Sequence, residues 1–148
     1  MDINIKELID KLPTDIVLQI IPYTYNIQNI NLLKDIKNYN NQKTHLLELY
    51  YNFWIIKMQS EDPEEYKYWL LNDIIGYCNW YVAIMNGYVE YFYSILNRNI
   101  FLKTREKMNK YIINLEKKNI SSQINIFLGL LTIEERNRII KTFTIYNN

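Results

Sequence analysis

An all-α fold is predicted by three features of this 148-residue sequence. Apolar side chains recur at i, i+3, i+4 and i+7 through most of the chain, the period of a helix that buries one face. Prolines and capping residues stand where those patterns begin, and the short polar runs between them fit tight loops between antiparallel neighbours. No segment competes as a strand. Thr142 to Tyr146 alternates weakly, but a lone strand has nothing to pair with, so it reads as the fraying end of a helix or a tail.

Taken in order, Pro13 suits the first turn of a helix, where its missing N–H is no loss and its φ is already helical. Ile16, Ile20 and Ile21 follow at helical spacing, and Pro22 biases Ile21 away from αR, so this element is expected to end there. Tyr23 to Asn29 forms a polar connector. Leu32, Leu33, Ile36 and Tyr39 mark a second helix, Asn40, Asn41 and Gln42 a turn, and Leu46, Leu49, Tyr50, Phe53 and Trp54 a third helix.

A boundary is expected at Gln59 to Asp62, dividing residues 1–59 from 60–148, although the two also fit one continuous domain. Asp62-Pro63-Glu64-Glu65 supplies a capping aspartate, a proline at the first helical position and two acids favoured by the helix dipole. Tyr66, Trp69, Leu70 and Ile74 are the buried stripe of the helix that follows, with Gly76 as its end or bend. Met85, Tyr88, Val89, Phe92, Ile95 and Leu96 predict an unbroken helix with Gly87 inside it. Phe101, Met108, Ile112 and Leu115 mark another. Asn119 to Ser122 is a turn and cap leading into an apolar stretch, Ile124 to Leu131, and Thr132-Ile133-Glu134-Glu135 is a capping box that opens a last helix through Ile139, Ile140 and Phe143. No internal repeat has a fixed period, which argues against a solenoid.

The string LPTDIVLQII, then a polar turn, a Leu-Leu helix and a third helix ending in Phe53-Trp54, resembles the F-box. The longer string IIPYTYNIQNINLLKDIKNY looks like the F-box-like N-terminal region of proteins of nucleocytoplasmic large DNA viruses. The likeness covers residues 12 to 54, and Pro22-Tyr23-Thr24-Tyr25 stands in place of the leucine-rich middle of the common pattern. It implies a three-helix F-box-like unit packed on a C-terminal helical bundle. It also implies binding to a Skp-family adaptor of a cullin ubiquitin ligase through Leu12, Pro13, Ile16 and Ile20. The same Ile and Leu spacing is equally what the core of any helical bundle shows.

Composition narrows the function classes. The chain is 49% hydrophobic and 15% aromatic, too apolar for disorder, and long enough to bury a core. A net charge of +1 argues against a chain-wide nucleic-acid footprint. The single cysteine, Cys78, excludes an intramolecular disulfide and a Cys-based metal cluster, and fits a reducing compartment. No apolar run approaches the ~18 to 20 residues of a membrane span, and Asp2, Lys6, Glu7 and Asp10 stand where a signal peptide would be apolar. The expected setting is therefore intracellular. An abundance of Asn, Ile, Lys and Tyr suggests an A/T-rich coding sequence.

Residues that carry chemistry are sparse. His45 is the only histidine, and no nucleophile or orienting acid accompanies it in the sequence, so it reads as a surface or partner-contact residue. Asp62, Glu64 and Glu65 are better explained by helix capping than by metal binding. Three isolated glycines form no phosphate-cradling loop. The basic group Lys103, Arg105, Lys107, Lys110, Lys117 and Lys118 is diluted by Glu106 and Glu116 and reads as a solvated face.

The remaining feature is an aromatic block from Tyr66 to Tyr93. Tyr77, Trp80, Tyr81, Tyr88 and Tyr91 are its candidate partner-binding residues, because Tyr and Trp bury much area at small entropic cost and keep a polar tip. The plainer alternative is a core in which Tyr replaces Leu and Phe. Base stacking would need flanking Lys and Arg, whereas the near neighbours are Lys67, Asp73 and Glu90. Two functional classes follow. One is a non-enzymatic viral adaptor, without cofactor or metal, that links a target to a Skp/cullin ligase in the host cytoplasm or viral factory. The other is a small helical virion or assembly protein that self-associates.

Overall fold

Seven α-helices and no strand make up the residues that the structure, a computed structural model, describes: 12–24 and 29–146, with side chains for 12–19 and 29–144. The helices are α1 (Thr14–Thr24), α2 (Ile30–Tyr51), α3 (Glu65–Cys78), α4 (Glu90–Leu96), α5 (Arg105–Glu116), α6 (Ile120–Leu130) and α7 (Ile133–Tyr146). A π-helical turn, Asn52–Lys57, extends α2, and a 3-10 turn, Ile84–Asn86, precedes α4. The fold is all-α, as the periodicity predicts. None of these helices is long and apolar enough to cross a membrane.

The chain divides into two compact units, Met1–Leu33 and Lys34–Asn148. The division falls well before the expected boundary at 59/60, because Leu46 and Tyr50 enter the same apolar core as Leu70, Ile74, Phe92, Ile124 and Ile139. In the first unit, the Pro13 carbonyl accepts from the Ile16 and Val17 N–H groups at 3.0 and 3.1 Å, which starts α1 where the proline implies. Helix α1 then runs through Pro22 to Thr24. With two residues beyond it, Pro22 withholds one N–H bond and interrupts nothing further. The expected connector from Tyr23 to Asn29 therefore begins later than Thr24, and residues 25–28 lie outside the described part of the chain.

Helix α2 is the principal correction. Residues 40–42 are not a turn: the helix is continuous over 22 residues, so the expected second and third helices of a three-helix unit are one element. The physical reason lies on α7. The Asn38 and Gln42 amides, one turn apart, both donate to Asn137 Oδ1 at 3.0 and 2.6 Å, and Asn38 Oδ1 accepts from Arg136 Nε at 2.8 Å. The Asn/Gln-rich stretch is a polar helix face that meets polar partners. Arg136 is only 1% exposed, and its remaining donors reach the Leu128 carbonyl at 3.0 Å and the Asp35 carboxylate.

The larger unit is built around α3, which packs chiefly on α6. Leu70, Leu71, Ile74, Tyr77 and Cys78 face Ile124, Phe127, Leu128 and Leu131 in one core. Burying each large aliphatic or aromatic side chain of this kind contributes on the order of 1.5–3 kcal/mol. Both expected caps at the C-terminal end are present. Asn119 Oδ1 accepts from Ser122 N–H at 2.8 Å to start α6. Thr132 and Glu135 exchange bonds at 2.8 and 3.3 Å to start α7. Helix α7 also carries Thr142 to Tyr146, the weakly alternating segment.

Two further expectations are corrected. The helix expected from Met85 is interrupted: Gly87 adopts φ +88° and α4 begins only at Glu90, leaving Met85 91% exposed. Helix α5 begins at Arg105 behind a Thr104 cap, so Phe101 lies outside it and is exposed, while Leu102 is the residue that enters the core.

Candidate functional site

Helix α3 ends at Cys78, and the next residue creates the site. Asn79 is fully buried, and its amide nitrogen donates to the Val82 and Gly87 carbonyls at 2.9 and 3.1 Å while its Oδ1 accepts from Val89 N–H at 2.8 Å. One side chain thus ties the residues 79–89 into a fixed loop. Within it Trp80 and Tyr81 take left-handed backbone conformations, φ +53° and +57°, and the Tyr81 N–H caps α3 on the Gly76 carbonyl at 2.6 Å. Left-handed conformations are uncommon for bulky residues, and a buried three-point anchor of this kind is what holds them.

Those two aromatic side chains form one wall of a cavity of about 230 Å³, completed by Tyr77 of α3, Tyr91 of α4, and Arg138 and Thr142 of α7. Trp80 meets Tyr91 edge-on at 5.3 Å between ring centroids, and Tyr77 meets Tyr81 at 6.5 Å. Arg138 and Thr142 are one turn apart, and the Thr142 hydroxyl donates to the Arg138 carbonyl at 3.0 Å. The loop beside the cavity continues as exposed Val82, Ile84 and Met85.

Tyr91, one of the lining residues, is anchored by Glu135. Its carboxylate receives both Arg98 nitrogens at 2.5 and 2.8 Å, the Tyr91 hydroxyl at 2.7 Å and the Thr132 N–H at 2.8 Å. Burial alone would push its pKa up, but the Arg98 fork, the Thr132 N–H and the Tyr91 hydroxyl outweigh it and hold the carboxyl at about 2. The Tyr91 hydroxyl is correspondingly fixed, with its pKa raised by burial and by the bond to Glu135. Tyr77 differs. It is 8% exposed, and its hydroxyl is buried without a hydrogen bond of normal geometry, although the Tyr91 phenol lies close enough to act on it. Burial raises the Tyr77 pKa, and the nearby Arg138 cation pulls it back down.

The other sequence candidates fall as follows. Tyr77, Trp80, Tyr81 and Tyr91 converge on the cavity, whereas Tyr88 stacks on Phe92 at 4.2 Å and bonds Glu116 at 3.4 Å, away from it. Within the aromatic block, Tyr77 and Phe92 are core, and Trp80 and Tyr81 are exposed. In the first unit, Leu12 and Ile16 are 41% and 37% exposed and Pro13 is exposed, while the side chain of Ile20 lies outside the described ones. His45 is exposed. Cys78 is buried, with its thiol pushed up to about 12, which leaves it unreactive. Asp62 and Glu65 act locally, the former accepting from the Glu64 N–H at 2.9 Å and the latter from Trp69 Nε1 at 3.1 Å. Among the described residues no group of three His, Cys, Asp or Glu side chains could hold a metal.

Sequence reasoning missed Arg138, Thr142 and Asn79. Arg138 and Thr142 at i, i+4 give no signal of their own, because their significance depends on α7 passing beside the α3–α4 loop. Asn79 sits within the aromatic block, and its anchoring role depends on the left-handed turn at Trp80 and Tyr81, which the sequence does not show. No protein family, curated protein or solved structure matches this chain.

Proposed function

We propose that the chain is a non-enzymatic protein–protein interaction adaptor of a large DNA virus, acting in the host cytoplasm or viral factory. In this reading the F-box-like segment engages a host Skp-family adaptor of a cullin ubiquitin ligase through Leu12, Pro13, Ile16 and Ile20, and the aromatic cavity recruits the target. The observation that carries it is apolar exposure at both places: Leu12, Ile16 and Leu18 in the first unit, and Trp80, Tyr81, Ile84 and Met85 beside the cavity. Exposed apolar side chains gathered in this way mark sites of protein contact. The continuity of α2 departs from a three-helix F-box, so adaptor binding would rest on α1 and the residues leading into it.

The test is a pull-down from host-cell lysate with the folded full chain, against a Leu12→Asp/Ile16→Asp variant. Recovery of Skp-family and cullin components by the wild type, and their loss in the variant, is expected. A well-folded wild type that recovers neither sinks the ligase assignment. The exposed 80–85 loop also favours a second reading, a virion or assembly protein that self-associates. A stable homo-oligomer in light scattering, together with presence in purified particles, supports that reading over the first.

A further inference from the structure

The cavity contains two polar groups whose bonding is incomplete, set in a wall of rings. Folded proteins leave few buried hydroxyls without a hydrogen bond of normal geometry, and the Tyr77 hydroxyl, with only the Tyr91 phenol near it, is one that a ligand oxygen could complete. Arg138 faces the same space, and among the described residues no carboxylate pairs with it. The nearest acid along α7, Glu135, is already committed to Arg98, Tyr91 and Thr132. A guanidinium and a phenol O–H are both donors, and together they suit an anionic oxygen pair.

We propose that this cavity binds the C-terminal residue of a partner polypeptide, its apolar side chain among Trp80, Tyr81 and Tyr91 and its α-carboxylate received by Arg138 and Tyr77. Three observations choose this occupant. The volume of about 230 Å³ lies below the ~300 Å³ at which pockets for drug-sized ligands begin, and suits one residue. A C-terminal apolar residue carries both the anion and the greasy body that the cavity offers, whereas an internal Asp or Glu would set a short stem against three rings. The exposed Val82, Ile84 and Met85, which follow Tyr81 of the cavity wall in the chain, give the preceding residues of a peptide an apolar surface, which a free small acid would not use.

This assignment deepens the target-recruiting half of the adaptor reading and rests on it, but its test involves no Skp component, so the two can fail separately. The full chain is titrated by calorimetry with an acetylated pentapeptide ending in Leu-Phe with a free carboxylate. Its C-terminal amide, a peptide with an internal Glu, and phenylacetate are the comparisons. The free acid is expected to bind about tenfold or more tightly than the amide and the internal-Glu peptide, and more tightly than phenylacetate.

Arg138→Gln and Tyr77→Phe should each weaken the free acid by several-fold and leave the amide unchanged. Tyr77→Phe should do so with little change in thermal stability, since the hydroxyl that it removes has no hydrogen bond of normal geometry. Equal binding of acid and amide, no binding of either, or variants that bind as wild type overturn the proposal. Preference for the internal-Glu peptide overturns the C-terminal assignment, and phenylacetate binding as tightly as the peptide overturns the polypeptide source.

Discussion

At Glu135, one carboxylate gathers four donor contacts from α4, the segment after it and the start of α7. Because its pKa is held at about 2 against an ordinary 4.5, the native carboxylate stays ionised where the unfolded one would protonate. Its contribution is therefore complete above about pH 4.5 and disappears as the pH falls through about 2. The urea midpoint of the wild type should decline across that window, and Glu135→Gln should flatten the decline while lowering stability at neutral pH. Arg136 makes a parallel case on the other face of α7. Arg136→Met leaves Asn38 and the Leu128 carbonyl without their donor, and is expected to cost about 3 kcal/mol in urea unfolding. A loss below about 1 kcal/mol would show that the buried guanidinium contributes little.

Helix α2 and the α3–α4 loop are where element-scale reasoning is most exposed to test. If residues 40–42 formed a turn, proline at the exposed position 41 would be tolerated. Inside a continuous helix, Asn41→Pro should cost about 3 kcal/mol and reduce the far-UV helical signal. Gly87 supplies the converse. Its φ of +88° with ψ of 176° is a region that only glycine enters readily, and a Cβ there would meet no atom within 4 Å. Gly87→Ala should therefore lose about 1–3 kcal/mol from backbone strain alone, a loss read as a lower thermal midpoint.

Local patterns account for which of these elements were legible. The caps at Asn119 and Thr132 were readable because capping is chemistry between residues three apart. The Asn40–Gln42 and Met85–Tyr88 segments were not. An Asn-rich run makes a turn or a polar helix face depending on what stands opposite, and an apolar period is broken by one left-handed glycine that the period does not register.

At the scale of the whole molecule, the buried core among the described residues begins at Leu46 and runs to Phe143, within the unit Lys34–Asn148. A chain shortened to start at Asn29, whose side chain accepts from the Asn31 N–H at 2.9 Å, keeps that core and should unfold in one cooperative transition at the wild-type urea midpoint. Separate transitions in the full chain, with only the second kept by the shorter one, would mark the first unit as independently folded. A large drop in midpoint would show that the first 28 residues stabilise the rest.

The helical class, most element positions and the aromatic side of the cavity were present in linear order, because helix period, capping and ring density are properties of near neighbours. The tertiary arrangement alone decided that Tyr88 turns away from the cavity while Arg138 and Thr142 enter it, and that the Asn38–Gln42 face belongs against Asn137. Those pairings join residues tens of positions apart. Their energies depend on which helices lie side by side, and a one-dimensional pattern does not encode that adjacency.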